Sequence, residues 1–312
     1  MDKLKHIPVM LNECIDGLNL KDGGIYFDGT LGGAGHSYEI LSRSKNTHLY
    51  ATDLDKETIE RAKARLKEFD GRYTIVNDNF KNYKQIIEEF NLDGFDGILL
   101  DFGVSSFQLD DRSRGFSYLA EDEQLDMRMN KDQDFSAKTL VNTYSLDQIK
   151  NILSEYGEER FSLNIARNIV AEREKEEIST CGQLVRIIEK SIPKKFQHDG
   201  HPAKRTFQAI RIEVNKELDE LYDTVLNMAR SLKKGGRLVI LTFHSLEDRI
   251  VKQAFKYLEC DCICPKEFPV CMCDKRKEGK ILTKHPIIAS EEELSYNSRS
   301  KSAKLRIYER ID

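Results

Sequence analysis

The segment YFDGTLGGAGHS, from Tyr26 to Ser37, contains four glycines in twelve residues and follows a short apolar run. A glycine-rich turn between a strand and a helix lets the backbone approach a ligand at the helix N-terminus. A P-loop ends in Gly-Lys-Ser/Thr, whereas this turn ends in Gly35-His36-Ser37. The dinucleotide spacing G-x-G-x-x-G is not met in any register. A nucleoside triphosphate is therefore not expected, and a dinucleotide is disfavoured.

Acidic and aromatic side chains follow the predicted strands on either side of this turn. Asp28, which ends the first strand, would repel a pyrophosphate, and Asp53, which ends the second, can accept hydrogen bonds from both ribose hydroxyls. The pair favours a cationic nucleoside without phosphate, S-adenosylmethionine. Asp78 and Phe80 lie where an adenine would be held, and Asp101 ends the fourth strand near the transferable methyl group. The alternative is a turn that only packs a strand on a helix, with Asp28 and Asp53 as helix caps.

Short apolar runs alternate with helical periodicity in the first third of the chain. The segment DKETIERAKARLKEFDG, 55–71, places apolar residues on one face and ends at Gly71, which predicts a helix. Such alternation indicates a parallel sheet covered on both faces. The predicted strands are 24–30, 48–55, 72–78 and 95–103.

The alternation of predicted strands and helices stops at about Leu109. A charged segment of helical periodicity begins there and runs to Lys216 without a convincing strand. Strand patterns return at 233–243 and 304–310, with a weaker candidate at 286–290. We therefore predict the α/β class, with a doubly wound sheet and an inserted helical subdomain. The sheet domain is expected to span 1–108 and 217–312, and the helical insertion 109–216, which we assign to substrate recognition.

Composition excludes some classes of protein. The 312 residues are 39% hydrophobic and 33% charged, with a net charge of −4, which is typical of a soluble globular protein. Apolar runs such as LVIL, 238–241, are too short to cross a bilayer, and the N-terminus lacks the pattern of a signal peptide. We expect a cytoplasmic protein with reduced thiols and no membrane partner. The oligomeric state is left open, a homodimer included.

Positive charge is concentrated in one segment, although the whole chain is slightly acidic. Between Arg186 and Lys216 there are eight Lys/Arg residues against three acids, which suits an RNA backbone. An ordinary solvated helix face is an equally good explanation of this run. The candidate RNA contacts within it are four basic residues that stand among Thr206, Gln208 and Asn215, namely Lys204, Arg205, Arg211 and Lys216.

Eight motifs in chain order resemble one family. They read HIPVMLNE, DGTLGGAGHS, DGILLDFGVSSFQLDDRSRGFS, LDMRMN, YGEERF, HPAKRTFQAIRIEVNKEL, GGRLVILTFHSLEDRIVK and NSRSKSAKLRI. Over nearly the whole chain they resemble the bacterial 16S ribosomal RNA cytosine-N4 methyltransferases, the RsmH or MraW family. The resemblance implies a class I methyltransferase fold with an inserted helical domain and S-adenosylmethionine as cofactor. The implied target is the exocyclic N4 amine of a cytosine in the decoding region of small-subunit rRNA.

The resemblance also implies a set of cofactor contacts, of which Gln108 is supplied by the resemblance alone. Two positions depart from the family pattern: Ala34 replaces a glycine, and Phe107 replaces a proline. The full implied set is Ala34, Gly35, His36, Asp53, Phe80, Asp101 and Gln108.

Cytosine N4 is a weak nucleophile, so its amine must be aligned with the methyl group and must donate hydrogen bonds to the enzyme. Related amino-methyltransferases use a Pro-Pro tetrapeptide after the fourth strand, where this chain has Asp101-Phe102-Gly103-Val104. Asp101 is our candidate catalytic acceptor, and a contact with the cofactor alone is an equally good interpretation.

Methylation of ring carbon C5 would need a nucleophilic cysteine at the site, which we do not expect. Candidate stacking platforms for the flipped base are Phe102, Phe107, Phe116 and Tyr118, although core packing explains each of them as well.

Two further motifs are ambiguous. Ser245 with Asp248 resembles a capping box, which we favour over a nucleophilic Ser/His pair at His244-Ser245.

The segment CDCICPKEFPVCMC contains two C-x-C pairs whose four thiolates suit one structural zinc ion, and the alternative is free thiols in a mobile loop. Methyl transfer should not depend on this segment, since some members of the resembled family lack it. The predicted metal ligands are Cys262, Cys264, Cys271 and Cys273.

Three classes of function remain at this stage. The first is an RNA methyltransferase acting on cytosine N4. The second is an RNA-binding assembly factor that keeps the cofactor fold without catalysis, and the third is a small-molecule dehydrogenase.

Overall fold

The computed structural model describes residues 7–197, 200–265, 267–268 and 270–312. The chain forms two compact units, one up to Gly103 together with Glu220–Asp312, and the other from Val104 to Asp219. These bounds lie a few residues outside the predicted insertion, 109–216. Among the described residues, none of the helices has the length and apolar character needed to span a membrane.

The first unit is built on a seven-stranded sheet in the order β3-β2-β1-β4-β5-β7-β6. Strands β1 to β5 are parallel, while β7 runs antiparallel to both β5 and β6. The predicted α/β class is confirmed. The strands are β1 Ile25–Asp28, β2 His48–Asp53, β3 Tyr73–Asn77, β4 Phe95–Asp101, β5 Leu232–Thr242, β6 Gly279–Ile281 and β7 Lys304–Arg310.

Helices cover the sheet in the first unit and make up most of the second. Helices α1–α4 and α11–α13 belong to the first unit, and α5–α10 to the second. Their bounds are α1 Leu11–Leu18, α2 Gly35–Arg43, α3 Lys56–Leu66, α4 Tyr83–Glu89, α5 Ser106–Asp110, α6 Ala137–Thr143, α7 Leu146–Glu155, α8 Ser162–Arg173, α9 Cys181–Ser191, α10 Lys204–Asn215, α11 Leu221–Arg230, α12 Ser245–Glu259 and α13 Glu291–Tyr296.

The sheet strands are apolar on both faces because helices cover both. Leu49, Leu99 and Val239 are fully buried and pack with Ile40 of α2 and Leu66 of α3. Such continuous apolar runs are the expected signature of a parallel sheet with two covered faces. The parallel arrangement brings the carboxyl ends of β1 to β5 to one edge, which we call the carboxyl edge.

The second unit has a separate core of helix faces. Leu140, Leu153, Ile165 and Ile188 are buried in one cluster to which α6 to α10 all contribute. Helix α9 begins with a capping box, in which Thr180 and Gln183 satisfy each other's backbone groups. In the described part of this unit the β pairing recorded is the isolated bridge between Gln124 and Thr180.

The weaker strand candidate at 286–290 is wrong. Ile287 makes only an isolated bridge with Leu305, and the sixth strand is Gly279–Ile281. Pro286 cannot donate a ladder hydrogen bond, which limits pairing there. Gly279 instead allows close pairing, because a Cβ atom at that position would lie 2.1 Å from the hydroxyl of Tyr308.

Candidate active site at the carboxyl edge of the sheet

The glycine turn between β1 and α2 is packed tightly against its surroundings. A Cβ atom on Gly29 would lie 2.5 Å from Leu100 Cδ2, and one on Gly35 would lie 2.1 Å from Pro8 Cγ. Ala34, the N-cap of α2, has a left-handed backbone with φ of 55° and donates its N–H to Leu31 O at 2.8 Å. Packing therefore accounts for Gly29 and Gly35, while position 34 has the conformation that favours glycine.

Asp28 stabilises this turn through hydrogen bonds to residues on both sides of it. Its side chain is buried, accepting a hydrogen bond from the Ser37 hydroxyl at 2.6 Å and another from the Thr30 backbone N–H at 3.1 Å. Burial raises the pKa of Asp28, although these hydrogen bonds oppose the change. The carboxylate therefore ties the end of β1 to the first turn of α2.

Asp53, at the end of β2, points towards the glycine turn. Its Oδ2 accepts the Gly32 N–H and its Oδ1 accepts the Asp55 N–H, both at 2.9 Å. Burial raises the pKa of Asp53 to about 6, against the lowering effect of those two backbone groups. Each carboxylate oxygen has two acceptor positions, so the side chain keeps capacity for further donors.

Asp101, at the end of β4, carries an unsatisfied atom. Its Oδ1 is buried and lacks a hydrogen-bond partner among the residues that the structure describes. Its Oδ2 lies 3.8 Å from His36 Nδ1, and its backbone N–H donates to the Thr30 hydroxyl at 2.6 Å. Burial, followed by the nearby charges of Asp28 and Glu247, raises the pKa of Asp101 to about 8. Three acidic side chains therefore lie near one another at this part of the carboxyl edge, and Asp101 Oδ1 has no hydrogen-bond donor among the described residues.

His36 is held beside Asp101 by the N-terminal segment. The imidazole is buried, and its Nε2 lies 3.1 Å from the carbonyl oxygen of Val9. A carbonyl oxygen only accepts, so this contact assigns the ring proton of neutral His36 to Nε2 and leaves Nδ1 without a proton, 3.8 Å from Asp101 Oδ2. A protonated Asp101 fits that arrangement.

Two aromatic rings line the same edge after β3 and β4. The ring centroids of Phe80 and Phe102 lie 5.7 Å apart, with Phe102 buried and Phe80 partly exposed. Asp78 is engaged in its own loop, accepting from Asn79 N–H at 2.7 Å and from the Asn82 side chain at 2.8 Å. Phe80 therefore has the freer surface for a planar ligand.

The predicted cap of α12 is displaced by one residue. His244, not Ser245, is the N-cap, and its capping box is formed with Glu247 rather than with Asp248. The neutral imidazole Nδ1 accepts the Glu247 N–H at 3.4 Å, a role that a hydroxyl usually fills. Asp248 instead binds Arg306 through two hydrogen bonds of 2.6 and 3.2 Å. No nucleophilic role for His244 or Ser245 is needed to explain these residues.

The second unit holds Gln108 and most of the candidate stacking residues. Gln108 is buried on α5, and its Oε1 accepts the Ser105 N–H at 3.0 Å. Phe116 belongs to the helical core, and Tyr118 stacks on His201 with centroids 4.3 Å apart. The side chain of Phe107 lies outside the described part of the structure.

The basic residues of α10 divide into two groups. Arg211 makes two hydrogen bonds with Glu217 at 2.8 and 2.9 Å, and Lys216 lies 2.6 Å from Glu213. Lys204 and Arg205 are exposed at the start of the helix. These two therefore remain the accessible candidates for phosphate contacts.

A cationic aromatic group in the second unit was not predicted from the sequence. The ring of Phe196 is 42% exposed, with the Arg160 guanidinium 4.9 Å and the Lys195 amine 5.1 Å from its centroid. Aromatic faces flanked by cations are typical of surfaces that bind single-stranded nucleic acid. The pair Lys195-Phe196 was visible in the sequence, but its proximity to Arg160 was not.

The four paired cysteines converge in the segment between α12 and β6. The sulfur atoms of Cys262, Cys264, Cys271 and Cys273 all lie within 4.8 Å of one another. All are free thiols, partly or fully exposed.

The strand order and directions of the first unit define a class I methyltransferase fold, in which ligands bind at the carboxyl edge. The chain belongs to the MraW methylase family, whose family model matches residues 3–311. The predicted family membership is confirmed.

Curated relatives agree with this assignment. A protein of Clostridium botulinum (strain Loch Maree / Type A3) named Ribosomal RNA small subunit methyltransferase H is 54% identical over 310 residues, covering 99% of this chain and 100% of the relative. A protein of the same name from Clostridioides difficile is 51% identical over 308 residues, covering 98% and 99%. A crystal structure of an rRNA methylase from Streptococcus thermophilus has 11% identity and a TM-score of 0.41, covering 98% of this chain and 99% of that one. That structural similarity is too distant to support a conclusion.

Proposed function

We propose that this protein transfers a methyl group from S-adenosylmethionine to the exocyclic N4 amine of a cytosine in the decoding region of 16S rRNA. The observation that carries the proposal is the buried, unpaired Oδ1 of Asp101 at the carboxyl edge. A buried polar atom without a partner is costly, and a ligand that donates a hydrogen bond there removes the cost. The names of the curated relatives support the substrate class, and the motif resemblance supports the N4 position.

The residues at this edge fit S-adenosylmethionine. Asp53 retains acceptor capacity for the ribose hydroxyls, and the partly exposed ring of Phe80 suits packing against the adenine. Asp28, Asp101 and Glu247 form an acidic environment that favours a sulfonium and disfavours a phosphate. The tight turn at Ala34-Gly35 would bring backbone groups against the ligand, while His36 would orient Asp101.

When bound, the cofactor supplies an electrophilic methyl group on a positively charged sulfur. Asp101 would accept a hydrogen bond from the N4 amine through Oδ1 and so turn the nitrogen lone pair towards the methyl carbon. Transfer of this methyl group to N4 would leave the electron pair of the broken C–S bond on the cofactor's sulfur. The positive charge of the bound sulfonium would favour the ionised form of Asp101, which could then accept the proton that the amine loses, and solvent would carry that proton away.

The second unit is our proposed RNA-recognition domain. Lys204 and Arg205 are exposed and basic, and Phe196 offers a ring face flanked by Arg160 and Lys195. Phosphate contacts would supply affinity, and the exposed ring would stack on a base unpaired from its helix. Gln108 is a proposed cofactor contact on the motif resemblance alone.

The decisive experiment is methyl transfer from labelled S-adenosylmethionine to unmodified small subunits, followed by nucleoside mass spectrometry. We expect N4-methylcytidine with the unaltered chain and with Asp93→Asn, an exposed control at the opposite end of β4. Asp101→Asn should bind the cofactor but lose at least about 100-fold in rate, because the base is removed. Full activity of Asp101→Asn would reject the catalytic role, and C5-methylcytidine as product would reject N4 as the target. Cofactor binding without transfer by the unaltered chain would favour the assembly-factor alternative.

A further inference from the structure

The four paired cysteines between α12 and β6 place their sulfur atoms in one group of four rather than in two separate pairs. Cys262 Sγ lies 3.4 Å from Cys271 Sγ and 3.8 Å from Cys273 Sγ, and the Sγ atoms of Cys271 and Cys273 are 3.6 Å apart. With Cys264 included, all four ligand atoms lie within 4.8 Å. A tetrahedral zinc ion with Zn–S bonds of about 2.3 Å has sulfur–sulfur edges of about 3.8 Å. The observed separations therefore match one tetrahedral centre.

Backbone donors surround the sulfur atoms. The N–H of Ile263 points to Cys273 Sγ at 3.4 Å, the N–H of Cys264 to Cys262 Sγ at 3.4 Å, and the N–H of Met272 to Cys264 Sγ at 3.2 Å. Such donors stabilise thiolates and orient them, which is the usual surrounding of a metal-bound sulfur. Each C-x-C turn therefore contributes both ligands and the groups that hold them.

Apolar packing contributes little to the stability of this segment. The side chains of Ile263, Phe268, Val270 and Met272 are all more than half exposed. The structure assigns no helix or strand to the described residues between Glu259 and Gly279. A segment with so little buried apolar surface needs another source of stability, and small modules of this kind commonly use a structural metal.

We infer that Cys262, Cys264, Cys271 and Cys273 bind one structural zinc ion that closes the segment between α12 and β6. Binding releases four thiol protons and leaves a site of net charge −2. With four thiolates and no open position, the site is structural rather than catalytic. It is independent of the proposed methyl transfer.

Cys260 provides a matched control within the same segment. Its thiol donates to Tyr257 O at 3.0 Å, and it is absent from the group of four. We therefore expect Cys260→Ser to keep the metal, although it removes a cysteine only two residues from a ligand.

The test is metal analysis of the full chain, purified under reducing conditions without chelator. We expect about one zinc per chain in the unaltered protein and in Cys260→Ser, and less than about a tenth of that in Cys264→Ser and in Cys264→Ser/Cys271→Ser. Thiol titration of the native chain should show four additional reactive thiols after the zinc is chelated. Absence of zinc with four reactive thiols already present would overturn the inference, as would iron in place of zinc or two disulfides shown by intact mass.

A second measurement separates loss of metal from failure to fold. We expect chelation, or Cys264→Ser, to expose the segment 260–278 to limited proteolysis while the thermal transition of the sheet unit changes little. Unchanged protease resistance of the metal-free chain would contradict the proposed closing role.

Discussion

The raised pKa of Asp101 predicts a measurable dependence of stability on pH. The folded protein holds a proton on this carboxyl up to about pH 8, whereas the unfolded chain loses it near the ordinary value of 3.8. Between these values the folded state binds more protons, so raising the pH favours unfolding. Replacing Asp101 by Asn removes this penalty. The variant should therefore gain stability relative to the unaltered protein as pH rises.

The size of the effect follows from linkage. One group that differs in this way changes the free energy of unfolding by about 1.4 kcal/mol per pH unit. Between pH 5 and pH 7 the upper limit is therefore about 2.7 kcal/mol. The Asp101 side chain is 27% exposed, so water weakens the penalty, and we expect a relative gain of about 1–2 kcal/mol for Asp101→Asn.

The assay is urea unfolding at pH 5, 6 and 7 of the unaltered chain, Asp101→Asn and the control Asp93→Asn. Taking differences between variants removes the titration of groups that do not interact with Asp101. A difference between Asp101→Asn and the unaltered chain that stays constant within about 0.5 kcal/mol would show that Asp101 ionises normally, and the reasoning from burial would fail.

Three further results are expected. Asp53→Ala should weaken S-adenosylmethionine binding by about 10- to 100-fold in calorimetry, since hydrogen bonds to a charged acceptor are lost, and unchanged affinity would reject the ribose role. Replacing Lys204 and Arg205 together by Ala should weaken binding of the rRNA fragment and reduce its salt dependence while leaving cofactor affinity alone; an identical salt slope would exclude these residues as phosphate contacts. Ala34→Gly should stabilise the protein by about 1 kcal/mol in thermal unfolding, because φ of 55° disfavours a Cβ atom, and destabilisation would show that the turn is not strained.

Much of the sheet could be predicted because its strands are buried on both faces. The acids Asp28, Asp53 and Asp101 stand at strand ends in the sequence, and the parallel topology brings those ends to one edge. What the pattern could not show is the hydrogen bonding of each acid. Both carboxylate oxygens of Asp28 accept hydrogen bonds, from Ser37 and Thr30, whereas Asp101 Oδ1 is left unpaired, and that difference depends on the path of the glycine turn.

The features that the sequence did not predict correctly are those whose local sequence pattern is weak or misleading. β6 has only three residues and pairs through a glycine, so it carries no apolar signature, whereas the apolar segment 286–290 contains a proline. The cap of α12 was displaced because an imidazole nitrogen accepts the hydrogen bond that a serine hydroxyl was expected to accept. The contact of Arg160 with Phe196 joins residues that are distant in sequence, which periodicity cannot reveal.

The order of the strands has a consequence for biosynthesis. β7 comes last along the chain yet lies between β5 and β6, so the sheet must wait for Lys304–Arg310 before its hydrogen bonding is complete. The helical unit, from Val104 to Asp219, is continuous in sequence and can close its core before β7 has been synthesised. The nascent protein should therefore be able to form its helical unit before β7 completes the antiparallel pairing with β5 and β6.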